Sequence, residues 1–344
     1  MGRASFPKRV LMAFAFIFVF LWCVLFKDLP RLLLQRRKKI ENQIVVITGG
    51  AMGIGKEVAK RLAVQHKAKV CILDVNEKEG LNAVDEISRE GGIVRFFRCD
   101  VSDPETLKTT ADEIRNDPLL GPTEDNDSGP VNICIANAAV LRLGECLDLS
   151  EKDYKMNSDV NILGHIYIPK RLTIHHKSYT KNDWNHFQTV KAFLPDMVIA
   201  EKGQIVSIGS ICSYYGDHYG TAYCAAKFAC RGFMEALQME MIAKGFYNKI
   251  VFTSIYPYFV KTGFIEQLNE PYSTFYDVQP VDKCAEEIVD AILKERVSHF
   301  IPGGIGFLCL YLKCLSTKAL LPYGRKVFNF TYHPKEKSNP VMKV

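Results

Sequence analysis

Tyr223 and Lys227 stand four residues apart in Tyr223-Cys224-Ala225-Ala226-Lys227. On a helix that spacing puts both side chains on one face. A phenol ionises at about 10, too high for a base at neutral pH. A neighbouring ammonium favours the phenolate and lowers that value. Such a tyrosine can take the proton of an alcohol while hydride leaves the carbon. The bland alternative is a surface tyrosine beside a solvated lysine, because the spacing recurs in many helices. Two further residues argue for chemistry. Ser210 ends an expected strand thirteen residues before Tyr223 and could hold the substrate oxygen. Asn161, in Asp159-Val160-Asn161-Ile162-Leu163-Gly164, falls on an expected helix, where an asparagine can hold a water that relays protons past the lysine.

A hydride needs an acceptor, and the chain offers a cradle for one. The β-branched run Ile44 to Thr48 feeds into Gly49-Gly50-Ala51-Met52-Gly53-Ile54-Gly55, which opens a helix. Strand, glycine turn and helix start form a pyrophosphate site, with backbone N–H groups aimed at the anion. Gly50 to Lys56 also nearly matches a nucleoside-triphosphate loop, but Glu57 stands where a magnesium-binding Ser or Thr is needed. Asp74 closes the next strand, 25 residues after Gly49, where a carboxylate binds both ribose hydroxyls and repels a 2′-phosphate. No Arg or Lys lies within Gly50 to Gly53 or at Val75, so NAD is expected over NADP. Asp100, in Cys99-Asp100-Val101, ends a third strand, where it can meet the adenine amino group or cap the following helix. A positively charged nicotinamide would add to the shift at Tyr223.

These residues need a scaffold that brings strand ends together. Strands are expected at Ile44 to Thr48, Lys69 to Leu73, Ile93 to Cys99, Val131 to Ala136, Gln204 to Ile208 and Lys249 to Tyr256. Helices are expected at Gly55 to Val64, Leu81 to Arg89, Thr106 to Arg115 and Tyr223 to Lys244. That alternation predicts an α/β fold, a doubly wound parallel sheet covered on both faces. Asn116 to Pro130 reads as a surface loop.

The remainder bounds where such a domain works. The chain has 344 residues, 48% of them apolar, and a net charge of +6. Basic residues cluster at Arg3, Lys8 and Arg9 and again at Arg31 to Lys39, on either side of the charge-free run Val10 to Phe26. We read residues 1–42 as a membrane anchor with a basic linker, retained because no small-residue cleavage site follows. The more basic downstream flank favours a cytosolic catalytic domain, and a monotopic hairpin is equally allowed. No aromatic-interleaved basic patch points to nucleic acid. Eleven cysteines form no CxxC pair and read as reduced thiols. Phe300 to Tyr323 is apolar but interrupted, either a second membrane-contacting element or a core helix, and Thr331 to Val344 reads as a frayed tail.

Taken in order, the glycine motif from Thr48 to Gly55, Asp100, Asn137-Ala138-Ala139, Asn161, Ser210, Tyr223, Lys227 and Pro257 to Thr262 resemble the short-chain dehydrogenase/reductase family over residues 43–302. The resemblance implies a single Rossmann domain with a seven-stranded parallel sheet and a catalytic tetrad of Asn161, Ser210, Tyr223 and Lys227. It implies cofactor contacts from Gly49, Gly53, Ile54, Gly55, Asp74, Asp100, Val101, Asn137, Tyr223, Lys227, Pro257, Val260 and Thr262. The anchor, Phe193-Leu194-Pro195-Asp196-Met197 and the Tyr223 segment resemble a narrower group, the membrane-bound 17β-hydroxysteroid dehydrogenase type 11-like and retinol dehydrogenase type 10-like enzymes. That implies a small lipophilic alcohol or carbonyl, such as a retinoid, a steroid or a long-chain compound. It also implies endoplasmic reticulum or lipid-droplet membranes. An NADPH-dependent carbonyl reductase on the same fold is the competing activity.

The pattern is broken in places. Val140 and Tyr258 stand where the family has glycine. Asn161 and Ser210 are 49 residues apart, longer than the family's spacing, and Ile168 to Gln188 reads as an insertion begun by Pro169. Excising it joins Tyr167 to Thr189 in one helix. His175, His176 and His186 within it lack further ligands, so no metal is expected. The family's dimer interface uses this helix, which puts homodimerisation in doubt and leaves open a nucleotide-binding protein disabled by the insertion.

Overall fold

The computed structural model describes residues 6–28, 36–120, 131–164, 189–265, 268–272, 276–314 and 331–334. Most of the expected loop at 116–130 and all of 168–188, with its three histidines, lie outside the described residues. The chain divides into two units, residues 1–38 and 39–344.

In the first unit, helix α1 (Phe6–Cys23) runs into a π-helical turn at Val24–Asp28. Its apolar side chains, Leu11, Phe14, Phe16, Phe18 and Trp22 among them, are exposed. Among the described residues no helix is long and apolar enough to cross a membrane, so a spanning anchor at Val10 to Phe26 is not borne out.

The second unit is built on a seven-stranded parallel sheet. Its strands are β1 (Ile44–Thr48), β2 (Lys69–Asp74), β3 (Ile93–Arg98), β4 (Ile133–Ala136), β5 (Gly203–Ile208), β6 (Ile250–Pro257) and, after the short β7 (Leu268–Tyr272), β8 (Ser298–Ile301). The order across the sheet is β3-β2-β1-β4-β5-β6-β8. Residues of β1, β2 and β4 are buried throughout, because both faces are covered. The two-residue period then sorts them. Val45 and Ile47 join the core with Val58 and Leu62 of α2 (Gly53–Val64), Ile87 of α3 (Glu77–Arg89) and Ile288 of α8 (Val281–Leu293). Ile44 and Val46 face Leu107 and Ile114 of α4 (Pro104–Asn116), Phe193 and Met197 of α6 (Thr189–Ile199) and Met234 of α7 (Thr221–Ala243). Strand order reverses between β1 and β4, and ligands of such sheets bind at the strand ends beside that reversal.

Several boundaries differ from expectation. Helix α3 begins at Glu77, not near Leu81, because the Asn76 side chain caps it and its first turn has no apolar residue for periodicity to register. Helix α4 begins at Pro104, capped by Asp103. Thr331–Pro334, read as frayed, forms β9 and pairs antiparallel with β7. The start of the interrupted apolar tail is strand β8 followed by α9 (Gly304–Cys314); Ile305 and Cys309 pack against Tyr256 and Tyr258, while Phe307 and Leu310 stay exposed.

Asn161 is carried by α5 (Glu151–Met156) and its π-helical continuation, Asn157–Leu163. The hydroxyl of Thr189, the first residue of α6, donates to the carbonyl of Gly164. Arg115 of α4 then fixes α6, bonding Asp196 Oδ2 at 2.9 Å and the Ala192 carbonyl at 2.5 Å.

Candidate active site

The glycine turn after β1 takes its shape from positive φ at Gly49 (63°) and Gly53 (56°), a region glycine enters without cost. Asn137, just past β4, locks it from the neighbouring strand. Its Nδ2 donates to the carbonyls of Thr48 at 3.0 Å and Gly49 at 2.9 Å. In return Thr48 Oγ1 accepts from the backbone N–H groups of Asn137 and Ala138, both at 3.1 Å. The first residue of α2 follows Met52, which supplies no side-chain cap. An uncapped helix start behind a glycine turn suits a diphosphate, since it keeps its N–H groups for an anion. Asp74 sits against this turn: Oδ2 accepts from Ala51 N at 3.1 Å and Oδ1 from Asn76 N at 3.0 Å. Burial pushes its carboxyl up, against the pull of the backbone N–H groups of Asn76, Ala51 and Val75.

Asp100 is engaged locally, Oδ1 accepting from Ser102 N at 2.9 Å and Ser102 Oγ at 2.6 Å. The cap of the following helix is Asp103 rather than Asp100. Val101 is buried among Ala138, Val140 and Val160.

The cleft beyond the glycine turn gathers Ile54, Asn137, Ser210, Tyr223, Lys227, Pro257, Val260 and Thr262. Ser210 lies two residues beyond β5, where its hydroxyl caps the short turn Ile211–Ser213 by accepting from Cys212 N at 3.1 Å. Lys227, one turn along α7, is almost wholly buried; its Nζ lies 5.6 Å from the Tyr223 ring centroid and donates to the Ile208 carbonyl at 3.1 Å. Pro257 to Thr262 is pinned beneath by Lys261 N to Gln279 O and Gln279 N to Phe259 O, each 2.8 Å.

The expected depression of the Tyr223 pKa is reversed here. The ring keeps some exposure, but burial of the hydroxyl end drives the phenol above its ordinary value. Burial likewise lowers Lys227, whose ammonium form is disfavoured away from water.

Asn161 is brought near this group but not into the lining of the cleft. Fully buried, it clamps Val140, with Oδ1 accepting from Val140 N at 2.7 Å and Nδ2 donating to Val140 O at 2.8 Å. Its backbone carbonyl accepts from the Cys230 thiol at 2.8 Å, one turn beyond Lys227. Sequence reasoning missed Cys230 and the Ile208 carbonyl; a backbone acceptor leaves no mark in a residue pattern. Tyr258, in the place of glycine, is buried and faces the cleft, edge-on to Phe259 at 4.9 Å.

The family model described as short chain dehydrogenase matches residues 43–181 and 173–273. The chain is 28% identical over 334 residues to short-chain dehydrogenase/reductase family 16C member 6 of Bos taurus, covering 95% of this chain and 93% of that protein. It is 27% identical to 17-beta-hydroxysteroid dehydrogenase 13 of Mus musculus, over 84% of each chain. It is 29% identical to epidermal retinol dehydrogenase 2 of Homo sapiens, over 86% of this chain and 87% of the other. Among solved structures, a short chain dehydrogenase/reductase of Burkholderia phymatum in complex with NAD superposes with a TM-score of 0.61 at 20% identity, covering 79% of this chain and 92% of that one. The alcohol dehydrogenase of Thermococcus sibiricus complexed with 5-hydroxy-NADP gives 0.56 at 21%, covering 75% and 95%. Matched by its family model over more than half its length, this chain belongs to the short-chain dehydrogenase/reductase family of oxidoreductases.

Proposed function

We propose that the protein interconverts a lipophilic alcohol and its carbonyl compound, using NAD and Tyr223 as acid/base. The observation that carries this reading is the convergence of Ser210, Tyr223 and the buried Lys227 on one cleft. When bound, the dinucleotide supplies the hydride acceptor, or the donor in the reverse direction. Ser210 holds the substrate oxygen beside the phenol. Tyr223 Oη takes its proton, and Lys227 Nζ stabilises the charge that forms. Leu141, Leu143, Tyr258, Phe259 and Phe264 wall the cleft with apolar surface, which favours a retinoid, steroid or long-chain alcohol over a sugar. NADH formation from NAD and a panel of such alcohols tests the reading; absence of product with all of them rejects it.

The position of Asp74 beside the glycine turn supports NAD over NADP, because a 2′-phosphate would face its carboxylate. In Asp74→Asn the ratio of kcat/KM for NADP over NAD is expected to rise roughly tenfold or more, since like-charge contact costs several kcal/mol. An unchanged ratio would remove Asp74 from the ribose site.

The exposed apolar face of α1 and the flanking basic residues support membrane attachment through residues 1–42. Endoplasmic reticulum or lipid-droplet membranes, with the catalytic domain on the cytosolic side, fit this reading.

We also propose that residues 168–188 are an insertion that the catalytic fold does not need. Their removal would make Thr189 the fourth residue after Gly164, and the Thr189 to Gly164 hydrogen bond is then the familiar contact of a helical threonine with the carbonyl one turn back. The shortened chain, Tyr167 joined to Thr189, should melt within about 2 °C of the full chain, a difference of roughly 1 kcal/mol. Loss of cooperative melting would show that the segment is structural.

A further inference from the structure

Between β6 and α8 the chain makes an excursion along the cleft. Its base is closed where Val260 bridges Gln279 and Lys261 N donates to the Gln279 carbonyl at 2.8 Å. It carries three apolar residues of the cleft wall, Phe264, Ile265 and Leu268. The Phe264 ring lies 6.4 Å from that of Tyr223, and Leu268 is almost wholly buried. Leu268 is also the first residue of β7, which stands outside the seven-stranded sheet and, among the described residues, pairs with β9 alone. The antiparallel register sets Leu268 opposite Pro334, Asn269 opposite His333 and Tyr272 opposite Thr331, with an irregularity between the last two pairs. A residue of the cleft wall is thus tied by backbone pairing to a strand far along the chain.

We infer that β9 is a latch on the substrate wall. Paired with β7, it holds Leu268 and the loop before it against a bound alcohol; parted from β7, it opens the cleft. The strand touches no reacting atom and acts through Leu268, so it is a positioning element. Its strength suits the task. A two-stranded ladder by itself is marginally stable in water, and this one can part while the parallel sheet stays intact. The irregularity in its register interrupts the ladder further. Loops that open and close in this way gate substrate entry and product release. Phe264, Ile265 and Leu268 offer dispersion contact and no side-chain hydrogen bond, which suits a hydrocarbon chain. An alcohol long enough to run from Tyr223 past Phe264 to Leu268 gains from closure. A short alcohol held at Ser210 and Tyr223 does not.

The effect on turnover rests on the proposed function; the latch itself does not. A variant lacking residues 331–344 is compared with the full chain, using NAD with dodecan-1-ol or butan-1-ol. KM for dodecan-1-ol should rise roughly tenfold, as it does when the closed fraction falls to about a tenth. KM for butan-1-ol and the affinity for NAD should stay within about twofold. Equal changes for the two alcohols, or none, would overturn the latch, and so would loss of cooperative melting, which would make β9 part of the core. A second variant reads the pairing without substrate. Asn269→Cys with His333→Cys places thiols on facing residues, whose Cα atoms are about 4.5–5.5 Å apart in an antiparallel pair, a span a disulfide bridges. Oxidation should link them and keep KM for dodecan-1-ol at the parent value; failure to link refutes the pairing. If the full chain oxidises no alcohol, the proposed function falls and amide hydrogen exchange decides the latch. Exchange at Phe264 to Tyr272 should then be at least about tenfold faster in the shortened chain, and unchanged exchange rejects it.

Discussion

Tyr223→Phe is expected to lower NADH formation by roughly a thousandfold, within the range that a lost acid/base group costs. The change removes one oxygen and keeps the ring, which packs 6.4 Å from Phe264. Binding of NAD should change by less than about twofold, because in the proposed mechanism the phenol acts only on the transferring proton. The pH profile gives a second reading. Burial raises the Tyr223 phenol, so it is protonated at neutral pH, and the base form grows as pH rises. Alcohol oxidation should therefore climb through the alkaline range in the parent protein and stay flat in the variant. Parent-like turnover in Tyr223→Phe would remove the tyrosine from the chemistry.

Gly55→Ala should be nearly as damaging, through a different physical route. A Cβ at Gly55 would fall inside contact distance of the Gly49 carbonyl oxygen and 2.6 Å from Asn137 Nδ2. Neither neighbour can yield, since one is backbone and the other is held by two hydrogen bonds to the turn. Overpacking of this kind costs about 1–3 kcal/mol. A melting temperature lower by roughly 5 °C is expected, with NAD affinity reduced at least about tenfold as the cradle spreads. Gly232→Ala is the control, for nothing lies within 4 Å of its Cβ and alanine is the better helix former. Thermal melts and NAD titrations of the two variants should diverge; parallel behaviour would mean that the turn tolerates a side chain.

The parts of this molecule legible from residue types are those where side chains answer to a period or to a backbone demand. The β-branched run Ile44 to Thr48 marks a strand buried on both faces, and the glycines after it mark a turn with positive φ. Ser210, Tyr223 and Lys227 could be named because each contributes a side-chain atom to the cleft. What escaped notice depends on groups that sequence does not display. Lys227 is anchored by the carbonyl of Ile208, an atom every residue has. The start of α3 rests on a capping oxygen of Asn76 ahead of a polar first turn. The direction of the Tyr223 shift depends on how deeply the hydroxyl is enclosed, which spacing along a helix does not report. Strand β9 pairs with a partner more than fifty residues upstream, beyond the reach of any local pattern.

The contact between Gly164 and Thr189 joins two residues separated by 25 positions. A chain that leaves and re-enters a fold at neighbouring points meets only the entropy of closing a loop. That entropy grows as the logarithm of loop length, about 0.6 kcal/mol for each doubling. The junction is therefore a natural port in the catalytic domain. A folded reporter or affinity tag spliced there should leave the Arg115 clamp on α6 and the cleft beyond it undisturbed, provided its own ends lie as close together as these two residues.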